Sequence, residues 1–472
     1  MPASAAANRR ANVWTARIIP VILLAIIGYA SWVVTKVECL DYLLNPSPSL
    51  ALPRQTAPAI AILTLFYILL LILLICYGRL IHTVLTNPGV VPRGPQWYIE
   101  NQRKTKSNNA NGGSEKEDSL DADSSEGYSA KGTYADAESY RVQDFWTKDV
   151  FVCQHDGRPR FCSACYNFKL DRVHHCSELN RCVYKMDHFC PWVSGIVSET
   201  SFKYFIQFTF WTAVFCLFNL VHVAYFLAQR QRHTSTFDVH WILAIAFSAL
   251  FLLFGLGMCV SSLQFAFQNT TTIENIDRRS HVYYLAVYVS EQTWTRLDQA
   301  HRDNNRWITY PRPPQEQLQL LQNAGADYPE ATVEIPPPAQ SIAPSLTTHA
   351  PASVREASTQ PVPPENRMFA ILETEPGDNP FDLGPFENFK EVMGERVIDW
   401  FLPLRMSPCA RHASPYSIYN MGRVVYKLKK RAGLLEEDDR SRYNKSRRKK
   451  SRRRASHSTG ERRPASSRVS AA

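Results

Sequence analysis

Four long segments of the sequence contain no lysine, arginine, aspartate or glutamate, although these residues make up 20% of the chain. Each segment has roughly 17 to 27 mainly apolar residues, the length that a helix needs to cross the ~30 Å hydrocarbon core of a bilayer. Because the segments lack a polar face, we interpret them as membrane spans rather than core helices of a soluble domain. The predicted transmembrane helices lie at residues 18–35, 59–77, 204–227 and 241–267.

The sequence also lacks a convincing cleavage site after its first apolar segment, which is too long for the core of a signal peptide. We therefore expect that segment to remain as an anchor. Large aliphatic residues are almost absent from residues 103–140, which excludes a packed core there and predicts a disordered linker. Internal repeats are absent as well.

The distribution of arginines predicts the orientation in the membrane. Three arginines fall within the first 17 residues, and Arg278 and Arg279 follow the fourth segment. By the positive-inside rule both termini are cytosolic, and loops 36–57 and 229–240 are lumenal, although two arginines in the second loop oppose this orientation. The protein is then a multi-pass integral protein of an endomembrane or the plasma membrane, with residues 86–200 in the cytosol.

These signals divide the chain into nine parts. They are a cytosolic N-terminus at 1–17, two transmembrane helices at 18–85, a largely disordered cytosolic linker at 86–144, a cysteine-rich catalytic module at 145–200, two further transmembrane helices at 201–268, a cytosolic segment at 269–311, a disordered linker at 312–368, a C-terminal motif with an amphipathic helix at 369–410 and a basic disordered tail at 411–472.

The basic tail contributes much of the net charge of +10 and has ten basic residues between Arg440 and Arg454. Such a run could bind nucleic acid in another setting. Beside membrane-spanning segments, we interpret it as a contact with anionic lipids, with a solubilising tail as the alternative.

The chain has eleven cysteines, and five of them fall within a stretch of about thirty residues between the second and third apolar segments. Cytosolic cysteines stay reduced, so metal binding or catalysis is expected rather than disulfide bonding. Cys162 and Cys165 form a Cys-x-x-Cys pair that is followed by a histidine and a later cysteine. This pattern is typical of a zinc site.

The same stretch ends in Asp187, His188, Phe189 and Cys190, followed by Pro-Trp. Thiolate is the reactive form of cysteine; a histidine can take the thiol proton, and an aspartate can orient the imidazole. The constellation therefore predicts a cysteine nucleophile with its base and orienter. From these residues alone, a hydrolase or an ordinary zinc loop with three polar residues remains an alternative.

The stretch resembles the cysteine-rich domain of the DHHC family of protein S-palmitoyltransferases, which repeats Cys-x-x-Cys, His-Cys and Cys and ends in Asp-His-His-Cys-Pro-Trp. The motif Thr271-Thr272-Ile273-Glu274 matches the family's Thr-Thr-x-Glu motif, and residues 379–394, with Asn388, resemble its C-terminal motif. The resemblance is greatest to fungal members. It implies an all-α polytopic membrane protein with four transmembrane helices and a small cytosolic zinc-binding module between helices 2 and 3.

In this family two zinc ions stabilise the module, each held by three cysteines and one histidine. The resemblance implies a first site made of Cys162, Cys165, His175 and Cys182. The second site would join Cys176 to positions that here are apolar, namely Leu179, Phe189 and Ile196. We therefore expect one structural zinc ion, with a small hydrophobic cluster in place of the second. The alternative is a rewired second site in which Cys176 is joined by Cys153, His155 and His174.

The resemblance implies a two-step exchange of thioesters. A fatty acyl-CoA acylates Cys190, and a cysteine of a substrate protein then takes the acyl group. The expected partners are fatty acyl-CoA, cytosol-facing proteins with membrane-proximal cysteines, and membrane lipids, but no nucleic acid. The alternative is an inactive membrane scaffold, suggested by Phe189 and the lost metal site. A zinc-finger ubiquitin ligase is disfavoured because one four-ligand site does not make the cross-braced pair that such domains need.

Acyl-CoA would need cations for its phosphates and an apolar slot for its chain. The candidate cations are Lys169, Arg172, Arg181, Lys185 and Lys203, with a solvated surface charge as the alternative for each. The candidate slot has Trp192 at its mouth and a row of residues at helical spacing on the third crossing, Phe205, Phe208, Thr212 and Phe215. An aromatic packing stripe is the alternative for that row.

The resemblance also implies supporting residues. Thr271, Thr272 and Glu274 would hold the catalytic loop, with a helix-end cap as the alternative, and Asn388 would belong to the C-terminal motif.

Overall fold

The computed structural model of the protein describes residues 3–48, 52–94, 96–101, 145–234, 236, 238–310, 366–436 and 439. The predicted disordered linkers at 103–140 and 312–368, and most of the basic tail, lie outside the described residues, apart from the end of the second linker at 366–368. In the described part of the chain, four helices are long and apolar enough to cross a membrane. The protein is therefore an integral membrane protein, and the prediction of a mainly helical polytopic fold with a cysteine-rich module between the second and third spans is confirmed.

The membrane helices are longer than their apolar segments. They are α1 at Ala3–Trp32, continued by a π-helix at Val33–Leu44, α2 at Thr56–Thr86, α3 at Phe202–Gln231 and α4 at Val239–Gln268. The predicted loop 36–57 is thus wrong at its start, because residues 36–44 are still helical. The charges that end the apolar run are accommodated in the helix, since Lys36 pairs with Asp41 and Glu38 pairs with His222 of α3.

The Glu38 pair lies within the helical bundle and links the first span to the third. Glu38 has no exposed surface, and its Oε1 lies 3.0 Å from Nδ1 of His222. Nε2 of the same ring lies 3.2 Å from Oδ1 of Asn219. Ionisable side chains at membrane depth are tolerated when they pair in this way.

Helix α3 lies at the centre of the bundle, between α2 and α4. Gly255 of α4 lets the last two helices approach closely, because a Cβ there would lie 3.2 Å from Cγ2 of Thr212. Toward α2, the aromatic rings of α3 interdigitate: Phe208 stacks on Tyr77 at 4.7 Å, and Phe215 packs on Phe66 at 5.2 Å.

Outside the membrane helices, the cysteine-rich module is built from three antiparallel hairpins. Their strands are β2 at Phe161–Cys162, β3 at Asn167–Phe168, β4 at His174–Cys176, β5 at Arg181–Val183, β6 at His188–Cys190 and β7 at Gly195–Val197. The pairs are β2–β3, β4–β5 and β6–β7. Strands this short depend on additional links, which the metal and apolar clusters described below provide.

A four-stranded antiparallel sheet packs beside the module and was not predicted. Its order is β1-β8-β10-β9, with β1 at Val150–Cys153, β8 at Tyr284–Tyr288, β9 at Arg306–Tyr310 and β10 at Arg367–Glu373. Side chains alternate between its two faces. On β8, Leu285 and Val287 face one apolar cluster and Ala286 faces an aromatic one. Short helices α5 at Thr272–Ile276, α6 at Glu291–Arg296 and α7 at Gln299–Asn304 connect the membrane to β9.

The C-terminal part is more ordered than predicted. The amphipathic stretch forms two short helices, α8 at Pro385–Met393 and α9 at Ile398–Phe401, because the chain turns at Gly394 with φ of 93°. The prediction of a disordered tail from residue 411 onward is also wrong at its start. Residues 411–436 are folded, and α10 at Arg423–Arg431 packs on the sheet. Its basic residues obscured the apolar pair Val425 and Leu428, which the sheet buries.

Candidate active site

Four side chains converge between the first two hairpins of the module. The ligand atoms of Cys162, Cys165, His175 and Cys182 all lie within 4.8 Å of one another. The register of the β4–β5 hairpin explains part of this convergence, because His175 and Cys182 are direct cross-strand partners. The Nδ1 atom of His175 lies 3.5, 3.4 and 4.0 Å from the sulfurs of Cys162, Cys165 and Cys182. A tetrahedral zinc ion with ordinary bond lengths would hold nitrogen and sulfur ~3.5 Å apart, so these residues fit a metal ion.

The apolar cluster that was expected in place of a second metal site is present. Cys176 and Ile196 are fully buried, and Leu179 and Phe189 pack against them. Phe189 and Ile196 are direct partners in the β6–β7 hairpin. The cluster holds the β6–β7 hairpin against the β4–β5 hairpin.

The rewired second site gains no support from the structure. Cys153 lies on β1 in the aromatic cluster of the sheet, whereas Cys176 lies in the apolar cluster just described. Of the residues that the structure describes, only the group around His175 brings together three or more potential metal ligands.

The third hairpin brings the predicted catalytic residues together. Alternate residues of a strand share a face, so His188 and Cys190 of β6 lie on one face and Phe189 on the other. The His188 ring donates from Nδ1 to Oδ2 of Asp187 at 2.6 Å, and Cys190 follows two residues later on the same face of β6. Phe189 points into the apolar cluster, so its departure from the family signature does not alter the face that carries His188 and Cys190.

The electrostatics of His188 favour the imidazolium. Burial acts to lower the pKa of His188, but hydrogen bonds with Asp187 and Cys190 and their charges outweigh it and raise the pKa to about 9. The protonated ring can therefore stabilise a thiolate at Cys190 and later return a proton.

Asp187 is itself fixed from the far side by the Thr-Thr-x-Glu segment. Thr272 donates its backbone N–H to Oδ1 of Asp187 at 2.8 Å and its hydroxyl to Oδ2 at 2.9 Å. Asp187 is 3% exposed, so these bonds replace solvent for the buried carboxylate. Thr271 caps α5 in a reciprocal capping box with Glu274. Thr271 therefore caps a helix, the alternative set out from the sequence, while Thr272 contacts the carboxylate next to His188.

A buried ion pair connects this segment to the module. Arg172 donates to both carboxylate oxygens of Glu274, at 2.7 and 2.6 Å, and to the side chain and carbonyl of Asn269. Burial acts to raise the pKa of Glu274, but the Arg172 guanidinium outweighs it and holds that pKa below its usual value.

Three of the predicted phosphate ligands are buried inside the protein. Arg172 is committed to the pair with Glu274, and Lys185 is 4% exposed and donates to Asn269 at 3.0 Å. Lys203 is fully buried beside the C-terminal motif, near Gly394. We correct their assignment accordingly, since a phosphate cannot reach side chains with so little exposed surface. Arg181 is half-buried and donates to the Val91 carbonyl at 3.2 Å.

Lys169 differs, because it lines a cavity of about 580 Å³ next to α5. The cavity is also lined by Arg160, His155, His174 and His281, and by the rings of Tyr283 and Tyr284. Ile273 and Glu274 form part of its wall, so it adjoins the segment that holds Asp187. A cavity with several cationic side chains and aromatic rings suits a phosphorylated nucleotide.

On its membrane side, Cys190 belongs to the apolar cluster of the helical bundle. Phe205, Phe208 and Phe215 of α3 are all buried in that cluster, and the Phe205 ring lies 5.3 Å from the His188 ring. Trp192 packs against the same cluster beside Phe254, at 5.4 Å. Thr212 is turned toward α4 and does not continue the row.

The C-terminal motif holds the end of α4 in place. Asn388 is fully buried and donates to the carbonyl of Phe267 at 2.8 Å, while its own oxygen accepts from the Leu383 N–H. This contact fixes the point where α4 passes into the Thr-Thr-x-Glu segment.

Sequence reasoning missed two residues of the site. Asn269 ends α4 in a left-handed conformation with φ of 47° and accepts from both Arg172 and Lys185. An asparagine just after an apolar helix is the signal that could have found it. Tyr77 of α2 donates its hydroxyl to the Trp192 carbonyl at 2.9 Å, and nothing in the sequence marked it.

Comparison with known proteins agrees with this geometry. Residues 155–279 match the family model of the DHHC palmitoyltransferases. The chain is 40% identical over 453 residues to palmitoyltransferase pfa5 of Aspergillus fumigatus, covering 91% of this chain and 92% of that protein. It is equally similar to pfa5 of Emericella nidulans, covering 91% and 88%. Palmitoyltransferase ZDHHC15 of Homo sapiens is 34% identical over 161 residues, which cover 31% of this chain and 46% of that protein.

The match to the two fungal proteins extends over nearly the whole of both chains, and the site described above lies inside the matched domain. The chain therefore belongs to the DHHC family of protein S-palmitoyltransferases and is a palmitoyltransferase of the membrane.

Proposed function

We propose that Cys190 is the nucleophile that carries the acyl group, with His188 as its acid–base partner and Asp187 as the orienter. The observation that carries this proposal is the chain of hydrogen bonds from Thr272 through Asp187 to His188, with Cys190 on the same face of β6 as His188. Each member fixes the next, which is the arrangement that nucleophilic cysteine catalysis requires.

In the first step, the Cys190 thiolate attacks the thioester carbonyl carbon of a fatty acyl-CoA. The new bond joins the Cys190 sulfur to the acyl carbon, and the bond to the CoA sulfur breaks. The His188 imidazolium, which received the Cys190 proton, gives it to the departing CoA thiolate. Asp187 keeps the Nδ1 proton in place, so Nε2 carries the proton that moves.

In the second step, the neutral His188 takes the proton of a substrate protein's cysteine. That thiolate attacks the acyl carbon, and Cys190 leaves as a thiolate stabilised by the reformed imidazolium. One thioester replaces another in each step, so neither step requires an external energy source.

The cavity beside α5 is the proposed site for the nucleotide part of acyl-CoA. Lys169 and Arg160 supply charge there, while Tyr283 and Tyr284 offer rings to the base. The fatty chain would enter the apolar cluster at Cys190 and extend along Phe205, Phe208 and Phe215. Trp192 would lie at its entrance.

A single structural zinc ion would be held by Cys162, Cys165, His175 and Cys182. It would supply fixed geometry between the first two hairpins and no chemistry at the acyl carbon. The catalytic hairpin depends on the apolar cluster around Phe189 instead.

Acyl-CoA is a cytosolic substrate, so the proposal places the module and both termini in the cytosol. The substrate proteins are those with a cysteine near the cytosolic membrane surface, within reach of Cys190.

The test is acyl transfer to the purified protein in detergent or lipid discs. With labelled palmitoyl-CoA, the wild type should gain hydroxylamine-sensitive label, and Cys190→Ser should gain none. Cys216→Ser, which removes a buried membrane cysteine, is the matched control and should label normally. Equal labelling of the Cys190→Ser variant would refute the assignment.

A further inference from the structure

The first membrane helix contains a proline, Pro20, in its interior. Proline has no N–H, so the carbonyl four residues earlier, that of Ala16, loses its helical hydrogen bond. Ala16 is only 2% exposed, which keeps solvent from replacing the missing donor. A buried carbonyl in this position requires a partner from elsewhere.

The partner comes from the catalytic hairpin. Ser194 donates its hydroxyl to the Ala16 carbonyl at 2.9 Å. Ser194 ends the short 3₁₀ turn Pro191–Val193 that joins β6 to β7, immediately before Gly195, the cross-strand partner of Cys190. Its backbone is left-handed, with φ of 65° and ψ of 16°, a conformation that glycine and asparagine adopt more readily than serine. The hydrogen bond to the Ala16 carbonyl explains why a serine occupies this left-handed position.

A second helix holds the other side of the same turn. Tyr77 of α2 donates to the Trp192 carbonyl at 2.9 Å, two residues before Ser194. The turn after Cys190 is thus fixed between α1 and α2. Helix α1 also reaches the module farther out, where Arg9 donates to the Glu178 carbonyl at 3.0 Å.

We propose that Ser194 is a positioning residue for acyl transfer, and that the carbonyl opened by Pro20 is its receptor on the first membrane helix. The inference rests on the proposed role of Cys190. Without the hydroxyl, the hairpin would remain paired, but the turn would lose its attachment to α1. The sulfur would then sample positions away from the acyl carbon, and small misplacements reduce rates strongly.

The experiment compares two substitutions that both suit a left-handed backbone. Ser194→Gly removes the donor, and Ser194→Asn retains one. Single-turnover labelling with palmitoyl-CoA should be slower by about 3- to 10-fold in Ser194→Gly, the range of one net hydrogen bond. Ser194→Asn should remain within about twofold of the wild type. The acyl-CoA concentration that gives half the maximal rate should be unchanged in both, because Ser194 lines no part of the nucleotide cavity.

The decisive comparison uses the Pro20→Ala variant, in which the N–H of residue 20 can again donate to the Ala16 carbonyl. In that variant, adding Ser194→Gly should slow labelling little further. The proposal would be overturned if Ser194→Gly slowed labelling equally with and without Pro20→Ala. It would also be overturned if Ser194→Gly labelled at the wild-type rate, or if Ser194→Asn slowed labelling as much as Ser194→Gly. Metal content and thermal midpoint identify misfolded variants; if the glycine variant misfolds, Ser194→Ala takes its place in the same comparison. Absence of label in the wild type would instead refute the role of Cys190.

Discussion

Replacing Asp187 by asparagine should separate the orientation of His188 from the rest of the site. The amide is nearly isosteric and keeps one oxygen for the Thr272 N–H, now accepted at 2.8 Å. Its NH₂ group, however, would face the Nδ1–H of His188, which now donates to the carboxylate at 2.6 Å. The ring must then place its proton on Nε2, where it cannot accept the thiol proton of Cys190.

The expected loss follows from this change of tautomer. General acid–base catalysis by a positioned side chain contributes about 10²- to 10⁴-fold, so acylation of Asp187→Asn should slow by that factor. The pH profile should change as well. The pKa of His188 stands at about 9 partly because of Asp187, so the wild-type rate should hold to about pH 9 and decline above it. In Asp187→Asn, the decline should begin at lower pH.

The same shift affects stability. The unfolded histidine has a pKa of ~6.5, and the folded one is raised. The charged pair therefore stabilises the fold fully below about pH 6.5, and this contribution is lost as pH rises through about 9.

The assay is single-turnover labelling with palmitoyl-CoA from pH 6 to 10, with thermal midpoints at each pH. Thr272→Val is the graded control, since it removes one hydroxyl bond to Asp187 and leaves the carboxylate. It should slow labelling less than Asp187→Asn. The role assigned to the carboxylate would be refuted if Asp187→Asn labelled within threefold of the wild-type rate. It would also be refuted if the rate of the variant declined at the same alkaline pH as that of the wild type.

Elemental analysis should give one zinc ion per chain, which Cys162→Ala abolishes and Cys176→Ala leaves in place; two ions per chain would contradict the apolar replacement of the second site. Phe215→Ala should shift acyl-CoA preference toward longer chains, because Phe215 lies ~20 Å along α3 from its start at Phe202, at 1.5 Å per residue. Leu217→Ala, whose side chain is 50% exposed on the same helix, should not change this preference; an equal effect of both would identify Phe215 as a packing residue. A glycosylation acceptor inserted in loop 45–55 should be modified and one at either terminus should not, whereas the reverse pattern would place Cys190 on the lumenal side.

The sequence predicted the four spans because hydropathy is a local property. Their ends were harder to predict, since Lys36, Glu38 and Asp41 terminate the apolar run without ending the helix. Glu38 is accommodated by His222, a partner 184 residues away that no local pattern reveals. The four-stranded sheet was missed for the same reason, because its strands come from three distant parts of the chain.

The grouping of the three proposed catalytic residues was predicted more fully than the contacts of the residues around them. Asp187, His188 and Cys190 are close in sequence, and the alternation of a strand is enough to bring His188 and Cys190 to one face. Arg172 and Lys185 were assigned to a phosphate because they are cations near the module. Their actual partners, Glu274 and Asn269, lie about a hundred residues on. The burial of Arg172 and Lys185 rules out their assignment to a phosphate. Burial depends on the tertiary fold, so the local sequence could not reveal it.

The apolar cluster of Cys176, Leu179, Phe189 and Ile196 limits which substitutions the neighbouring hairpin tolerates. A single change of Leu179, Phe189 or Ile196 to a metal ligand would place one thiol or imidazole among apolar side chains with only Cys176 beside it, leaving a buried polar group poorly paired at a cost of about 1–3 kcal/mol. Three such changes would be needed together before a metal ion could repay the loss. The hairpin that carries Cys190 is therefore sensitive to any single polar substitution in this cluster, although the cluster itself touches no reacting atom.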